Sequence, residues 1–143
     1  MDEARPVVRE AAWAEDEPDI REVRQAVFHV EQGVPLELDF DGSDVGCLHA
    51  LGLMGDAVVA TGRVGPDGHI GRIAVLKAWR HHGIGRAVMD FLVSRARGDG
   101  FPGVYLHSQL SAVGFYAKLG FQQVGEPFVE AGIDHIEMEL RFD

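Results

Sequence analysis

Apolar residues recur along this chain at two spacings, which together predict seven strands and three helices. Alternating or continuous apolar runs, bounded by turn residues, predict strands over residues 6–13, 45–53, 57–64, 69–75, 103–107, 121–129 and 133–142. Short turns at Gly55 and Asp56 and at residues 65–68 separate three consecutive strands, which should therefore be antiparallel. Residues 131 and 132 should turn the last two strands into a closing hairpin.

Helical spacing marks the three helices. In the first helix, apolar residues recur at Ile20, Val23, Val27 and Val30. Pro18 suits the acidic opening turn of that helix, and Gly33 with Pro35 ends it. The second helix follows a turn with two glycines, and the face that should pack on the sheet carries Ile84, Val88, Leu92 and Ala96. The third, over residues 111–119, is short. Strands and helices in this order indicate an α/β fold.

The length of 143 residues and the 46% hydrophobic content suit one compact domain over residues 1–143. Acidic residues follow Met1 where a signal peptide would be basic, and no apolar run approaches the roughly 18 residues of a membrane span. We therefore expect a cytoplasmic protein. Cys47 is the only cysteine, which excludes an internal disulfide, and its strand-like setting favours buried packing over a nucleophilic role. The histidines show no paired zinc spacing, so no metal is expected.

The formal net charge of −10 argues against a nucleic-acid partner, because binding to a phosphate backbone needs a basic face. The charges are also unevenly distributed. Residues 25–62 contain no Lys or Arg but carry Glu31, Glu37, Asp39, Asp41, Asp44 and Asp56. From residue 72 to residue 97 the balance is basic, with Asp90 as the single acid. This asymmetry predicts an anion-binding region and an acidic region that tolerates a cation, as where a polyanionic cofactor meets a basic amine. Solvated surface charge is the alternative for any single residue.

The basic turn between the strand over residues 69–75 and the second helix has the features of an anion-binding loop. Gly83 and Gly85 lack Cβ atoms, so backbone N–H groups can approach a ligand, and the following helix adds unpaired donors and partial positive charge. The triphosphatase P-loop is excluded because no Gly-Lys-Ser/Thr string occurs. The dinucleotide fingerprint is weakened because Val88 occupies its third place. What remains is Arg-x-x-Gly-x-Gly over residues 80–85, or else a tight turn without a ligand.

This hexapeptide resembles the acyl-CoA pyrophosphate loop of the GCN5-related N-acetyltransferases, the GNAT family. Residues 109–121 contain Phe-Tyr-x-x-Leu-Gly-Phe and resemble the family's final signature. Two signatures in the expected order are stronger than either alone. Residues 24–32, the aspartate-rich loop that follows and His49 resemble the ElaA-like branch of the family. The resemblance implies an α/β, three-layer fold: a central mixed and mostly antiparallel sheet, splayed at strands 4 and 5, with helices on both faces.

The resemblance also implies acetyl-CoA as a co-substrate, and it implies the residues that hold it. The backbone would pair with the pantetheine arm at Ile73, Ala74 and Val75. The pyrophosphate would lie against a loop formed by Arg80, His81, His82, Gly83, Ile84, Gly85 and Arg86. Gln109 stands where many members have an Asn that contacts the cofactor. Tyr116 would lie near the sulfur and donate a proton to the departing thiolate, although by spacing alone it also fits an apolar packing position beside Phe115.

The implied activity is N-acetylation by direct attack of a neutral amine on the thioester in a ternary complex, so no protein nucleophile is needed. Glu31, just past the first helix, is the first candidate for the base, and His49 and His107 are the alternatives, along with a chain of water molecules. The acceptor would be a small-molecule amine or a peptide amine. Neither nucleic acid nor membrane is expected as a partner, and the apolar C-terminal strands are compatible with a homodimer. The alternative function is a non-catalytic acyl-CoA-binding sensor or an interaction domain on the same fold.

Overall fold

The computed structural model describes residues 5–143, which form a seven-stranded sheet with helices on both faces. The strands are β1 (Pro6–Ala11), β2 (Leu48–Met54), β3 (Ala57–Val64), β4 (His69–Val75), β5 (Gly103–Gln109), β6 (Gln122–Glu130) and β7 (Ile133–Arg141). The helices are α1 (Trp13–Arg24), a π-helix (Gln25–Glu31), α2 (Leu36–Asp39), α3 (Ile84–Gly98) and α4 (Val113–Lys118). The segment at Met1 that bears on the signal-peptide prediction lies outside the described residues. Within residues 5–143, no helix is long and apolar enough to cross a membrane.

The strand order is β1-β2-β3-β4-β5-β7-β6, and each neighbouring pair is antiparallel except β4 with β5. The parallel pairing is short: His69 aligns with Tyr105 and Ile70 with Leu106, and no later β4–β5 pair occurs in the described chain. The two strands therefore diverge beyond Ile70, which opens a splay along the second half of β4. The predicted fold class, a mixed sheet splayed at strands 4 and 5, is confirmed.

The larger core lies between the sheet and α3. The predicted apolar face of this helix is buried, with each member at most 1% exposed: Ile84, Val88, Leu92 and Ala96. Full burial of one such side chain is worth about 1.5–3 kcal/mol. This face therefore holds α3, and with it the glycine turn, against the sheet. Helix α1 covers the opposite face, where Ile20 packs with Leu51 and Val23 packs with Ala74.

Helix α1 begins earlier than the sequence predicts. Pro18 was expected in its opening turn, but the helix starts at Trp13 and Pro18 lies inside it. A reciprocal pair of hydrogen bonds fixes this start. The amide of Asp16 donates to the carbonyl of Ala12 at 2.8 Å, and the amide of Ala12 donates to the carboxylate of Asp16 at 2.9 Å. These bonds tie the chain before the helix to its first turn, in the manner of a capping box. They outweigh the preference of Pro18 for the first turn of a helix.

After Arg24 the helix widens into the π-helix, which regular helical spacing did not predict. The wider winding rotates later residues away from their α-helical positions. Val27 remains buried, but Val30, predicted on the same apolar face, is 83% exposed, so that part of the prediction is wrong. The same winding directs Glu31 and Gln32 towards the splay, where they contact residues that follow β4 and end β5.

The chain before β2 is helical rather than extended. The sequence predicted a strand from residue 45, but a 3-10 turn occupies Ser43–Gly46 and β2 begins at Leu48, leaving Val45 exposed. Cys47 therefore precedes the strand instead of lying in it. Its half-buried thiol donates to the carbonyl of Ser43 at 3.3 Å. Burial raises the pKa of the Cys47 thiol, which agrees with a packing role rather than a nucleophilic one.

The acidic segment after the π-helix is neutralised by arginines from other elements. Arg24, which is 1% exposed, donates to Asp39 at 2.6 Å and to Asp44 at 2.7 Å. Arg63 on β3 donates to Asp44 at 2.6 Å, and Arg72 on β4 donates to Asp39 at 2.9 Å. The prediction of an acidic region open to a cation is therefore wrong for Asp39 and Asp44, because the fold brings three arginines to them. These buried ions hold α2 and the loop after it on the sheet.

Candidate functional site

The divergence of β4 from β5 leaves backbone groups of β4 without a strand partner. The amide of Leu76 donates to a carbonyl on β3 at 2.9 Å. Successive residues of an extended strand direct their N–H and C=O groups to opposite sides. The N–H and C=O groups of Ile73 and Val75 therefore point into the splay, whereas those of Ala74 face β3. Part of this edge is already used, since the carbonyl of Val75 accepts from Nε of Arg80 at 3.0 Å. The remaining edge suits an extended ligand with amide groups, bound as an added strand.

The glycine turn presents a run of free backbone donors at the mouth of the splay. Gly83, with φ of 83°, precedes the first residue of α3, Ile84. The first bond into the helix runs from the amide of Ala87 to the carbonyl of Gly83 at 3.1 Å. Within the described chain, the amides of residues 81–86 donate no hydrogen bond. Consecutive unpaired amides that lead into a helix form an anion-binding site through their partial charges.

Side chains beside the turn are directed to solvent. His81, with positive φ of 69°, is exposed, and so is His82. Arg86 is exposed on the first turn of α3, with Nε 3.8 Å from a carboxylate oxygen of Asp90. Exposed cationic or protonatable side chains therefore border the turn.

Of the two glycines of the turn, Gly83 borders unfilled space and Gly85 borders side chains of β4 and α4. A Cβ added at Gly83 would meet nothing within 4 Å, although its φ of 83° would strain any other residue. A Cβ added at Gly85 would lie 3.5 Å from Val75 and 3.9 Å from Phe115, which are ordinary contacts. Phe115, which helical spacing assigned to the core, is 40% exposed and reaches the turn from α4. The turn thus has room above it and borders both β4 and α4.

Arg80 joins the turn to the end of the π-helix. Its two terminal nitrogens donate to the two carboxylate oxygens of Glu31, each at 2.6 Å. Hydrogen bonds from Arg80 hold the pKa of Glu31 below its ordinary value, so this carboxylate is a weak proton acceptor at neutral pH. Both side chains are about one-third exposed, and an ion pair in such a position exchanges partners at low cost.

A second bridge reaches the other side of the splay. Gln109 is the last residue of β5. Its side-chain nitrogen, Nε2, donates to the side-chain oxygen of Gln32, Oε1, at 3.0 Å. Consecutive residues, Glu31 and Gln32, therefore hold both sides of the opening, the first through Arg80 after β4 and the second through Gln109. Sequence reasoning singled out Gln109 but missed Gln32, because the two residues lie 77 positions apart and no local pattern links them.

Tyr116 lies on α4, on the same face of the sheet as α3. The helix predicted over residues 111–119 is a 3-10 turn, Leu110–Ala112, followed by α4. The phenol ring packs edge-on against Phe121, with centroids 6.1 Å apart. Its hydroxyl has no partner among the described residues, yet it is not a buried polar atom, so solvent reaches it. Burial of the ring raises the pKa of Tyr116 to about 12, which keeps the phenol protonated at neutral pH.

His107 lies at the closed end of the splay. It is the first residue of β5 beyond Leu106, which forms the last pair with β4. Its Nδ1 is 2.9 Å from a carboxylate oxygen of Glu130 on β6, and its Nε2 is 3.7 Å from Glu137 on β7. The ring lies edge-on to Phe128 with centroids 5.1 Å apart, and the side chain is 26% exposed. An imidazole with carboxylate neighbours can accept and release protons.

His49 is not brought to the splay. It is 1% exposed on β2, and its Nε2 lies 2.7 Å from the carbonyl oxygen of Asp44. Burial lowers the pKa of His49, which keeps the ring neutral. Arg63 on β3 pairs in register with His49 on one side and with Gly71 of β4 on the other, so two strand spacings separate this histidine from β4. The structure thus separates His49 from Glu31 and His107.

Sequence reasoning counted Arg72 on β4 among the basic residues of the anion-binding region, but the structure gives it another role. It has a left-handed φ of 54° and lies at the bulge where the register between β3 and β4 shifts. Its guanidinium donates to the carboxylate of Asp39 at 2.9 Å and to the carbonyl of Leu38 at 3.0 Å. Such contacts hold a strained residue in place, and the bulge bends β4 where it leaves β5. No local signal marks this position, because the anchoring residues come from a distant loop.

A family model and similar proteins agree with this geometry. Residues 41–142 match the model described as an acetyltransferase (GNAT) domain. A protein of Bacillus subtilis (strain 168), provisionally named an acetyltransferase, is 38% identical over 128 residues, which cover 85% of this chain and 87% of that protein. The chain therefore belongs to the GNAT acetyltransferase family.

Similarity to ElaA, in sequence and in structure, assigns the chain to one branch of the family. Protein ElaA of Escherichia coli (strain K12) is 35% identical over 127 residues, or 82% of each protein. The crystal structure of Escherichia coli ElaA has a TM-score of 0.82 at 30% identity, covering 94% of this chain and 98% of that one. The predicted ElaA-like branch is thus confirmed. The crystal structure of an acyl-CoA N-acyltransferase from Pseudomonas aeruginosa has a TM-score of 0.80 at 26% identity, with coverage of 94% and 98%.

Proposed function

We propose that this protein is an N-acetyltransferase that moves an acetyl group from acetyl-CoA to a primary amine by direct attack in a ternary complex. The free amides of residues 81–86, at the mouth of a splay whose β4 edge has no strand partner, carry this assignment. Membership of the GNAT family supports acyl transfer. The name of the similar Pseudomonas aeruginosa protein, an acyl-CoA N-acyltransferase, supports the donor class.

The residues around the splay fit an acyl-CoA donor. The diphosphate would accept hydrogen bonds from the amides of residues 81–86, with the exposed Arg86 adding positive charge. The pantetheine amides would pair with the outward-facing groups of Ile73 and Val75. Gln109 would contact the donor from the β5 side once its bond to Gln32 opens. The donor would then lie between β4 and β5 with its thioester inside the splay.

The chemistry needs one acid and one base. The acceptor nitrogen forms a bond to the thioester carbon, the C–S bond breaks, and its electron pair leaves on sulfur. Tyr116, protonated at neutral pH, would donate its phenolic proton to that sulfur. The acceptor enters as an ammonium ion and leaves as an amide, so it loses two protons. One proton in effect restores Tyr116, and the other passes through the base to water.

Position separates the three candidates for the base. Glu31 is held by Arg80, which lowers the pKa of its carboxyl. His49 is buried two strands from the β4 edge. His107 lies at the closed end of the splay, partly exposed, with two carboxylates beside its ring. In this proposal, therefore, His107 replaces Glu31 as the first candidate for the base.

Acetyl-CoA binding measured by calorimetry, together with thiol release in the presence of a panel of primary amines, tests this function. Gly85→Val would place a branched side chain beside the free amides and should abolish measurable acetyl-CoA binding. Gly98→Val is the matched control, because Gly98 ends the same helix and a Cβ there meets nothing within 4 Å. Unchanged affinity in Gly85→Val would refute the donor placement. Acetyl-CoA binding by the parent without thiol release from any amine would favour the sensor alternative.

A further inference from the structure

The geometry points to a binding site for the acceptor's primary ammonium group between Nε2 of His107 and the carboxylate of Glu137, with Glu130 fixing the tautomer of the imidazole. This inference rests on the proposed function and deepens it. It specifies the acceptor as a cationic primary amine and identifies the groups that bind its nitrogen.

Glu130 determines which nitrogen of His107 carries hydrogen. Nδ1 of His107 lies 2.9 Å from a carboxylate oxygen of Glu130, which is a hydrogen-bond distance. An ionised carboxylate only accepts hydrogen bonds, so Nδ1 must be the donor. In a neutral imidazole the other nitrogen, Nε2, then carries the lone pair. The carboxylate of Glu130 thereby prepares Nε2 to receive a proton.

The lone pair on Nε2 lies near a second acceptor. The carboxylate of Glu137 is 3.7 Å from Nε2, which is too long for a direct hydrogen bond. Two acceptors at this separation repel each other unless a donor lies between them. A nitrogen about 2.8 Å from each atom would donate to both, and a primary ammonium group has the three N–H donors and the positive charge that this requires.

The surrounding surface suits a cationic ligand that approaches from solvent. His107 and Glu137 are paired in register across β5 and β7, so their side chains share one face of the sheet. They are 26% and 39% exposed, respectively, which leaves them accessible. The ring of Phe128 lies 5.1 Å from that of His107 and supplies aromatic surface beside the imidazole. Aromatic faces attract cationic groups.

The resulting proton path is balanced. The ammonium group transfers one proton to Nε2 of His107, which becomes an imidazolium ion between Glu130 and Glu137. The amine nitrogen regains its lone pair and attacks the thioester carbon, the C–S bond breaks, and its electron pair leaves on sulfur, which takes the phenolic proton of Tyr116. The second proton of the acceptor nitrogen restores Tyr116, and His107 later releases its proton to water. His107 is thus a catalytic residue and Glu137 binds the acceptor. Glu130 touches neither the acceptor nor the reacting atoms and is a positioning residue.

Long-range proton–nitrogen NMR of the imidazole groups tests the tautomer. At a pH above neutral, His107 should carry its hydrogen on Nδ1, and its signals can be assigned from their loss in His107→Asn. Glu130→Ala should shift the population to the Nε2–H form. Glu130→Gln should retain the parent tautomer, because an amide oxygen still accepts the bond. An Nε2–H or doubly protonated ring in the parent would overturn the inference.

Ligand binding is tested with two probes in the same NMR experiment. Butylammonium, which has N–H donors, should shift the His107 signals, whereas tetramethylammonium, which has the charge but no donor, should not. Glu137→Gln should weaken the butylammonium response, and Glu139→Gln, two residues along the same strand, should not. An equal response to both probes, no response to either, or an unchanged affinity in Glu137→Gln would each contradict the site.

Kinetics separate the two carboxylates. With any amine that the parent enzyme acetylates, Glu137→Gln should raise KM for the amine about tenfold or more, because a charge-assisted hydrogen bond is lost. Glu130→Ala should mainly lower kcat, with partial rescue in Glu130→Gln. Glu139→Gln should match the parent. If the parent acetylates amines but Glu137→Gln has an unchanged KM, this inference fails while the proposed function stands. If the parent neither binds acetyl-CoA nor releases thiol, the proposed function itself fails.

Discussion

Glu31 and Arg80, which lie 49 residues apart in the sequence, form a bidentate ion pair that fastens the glycine turn to the end of the π-helix. The same guanidinium donates to the carbonyl of Val75, so one side chain connects the β4 edge, the turn and the helix. A diphosphate entering the turn would compete with Glu31 for this guanidinium. Binding of the donor would therefore weaken the bond between Arg80 and Glu31.

Glu31→Gln should tighten acetyl-CoA binding at low salt, because it releases Arg80 for the diphosphate. An exposed ion pair is worth at most about 1 kcal/mol, so we expect a gain of about two- to fivefold. Calorimetry would measure it. Acetylated pantetheine, which lacks the diphosphate, is the control ligand, and its affinity should not change. Weaker acetyl-CoA binding in Glu31→Gln would show that the ion pair organises the loop instead of competing with the donor.

Tyr116→Phe should lower kcat about 100-fold or more while leaving acetyl-CoA affinity nearly unchanged, because general acid catalysis is lost and packing is kept. Steady-state kinetics and calorimetry would separate the two effects. Tyr105→Phe is the matched control, since the hydroxyl of Tyr105 donates to Asp67, a bond that helps raise the pKa of Tyr105 to about 12 as well. Equal activity in Tyr116→Phe and the parent would remove Tyr116 from the mechanism.

Arg24→Met should lower the free energy of unfolding by about 3–5 kcal/mol, because two buried carboxylates lose a shared partner. Arg24 donates to Asp39 and Asp44, and all three side chains are at most 3% exposed. Urea titration would measure the loss. Arg95→Met is the control, since Arg95 pairs with Glu10 on the surface and its replacement should shift the midpoint little. Similar midpoint shifts in the two variants would argue against a stabilising role for the buried network.

The free energy of unfolding should fall as the pH drops below about 4. Burial alone would raise the pKa of Asp44, but hydrogen bonds and charges from Arg24 and Arg63 outweigh it and hold the pKa below the ordinary value of 3.8. A group with a lowered pKa in the folded state stabilises the fold fully above its unfolded value and loses that contribution as the pH falls through the folded value. Urea titrations at several acidic pH values would measure this slope. Asp44→Asn should flatten it, and an identical slope in that variant would assign the acid sensitivity to other groups.

Elements with strong local boundaries were predicted well. The third and fourth strands, at residues 57–64 and 69–75, match the structure because glycine-containing turns lie before each of them and between them. The buried face of α3 was predicted because its spacing is regular over the whole helix. The prediction for the end of the first helix failed because the winding changes to a π-helix, which leaves Val30 exposed. The prediction for its start failed because the bond from Ala12 to Asp16 fixes the start of the helix before Pro18.

By itself, the sequence determined the alternating order of strands and helices, the glycine turn over residues 80–85 and the Tyr116 signature, because each element or motif depends on residues that are neighbours in the chain. Only the tertiary structure decided which charges meet. In the acidic segment that looked available to a cation, Asp39 and Asp44 are paired with Arg24, Arg63 and Arg72, while Glu130 and Glu137 come to lie beside His107. Contacts of this kind depend on strand register, on the divergence of β4 from β5 and on the winding of one helix. None of these can be read from the spacing of residues within a single segment.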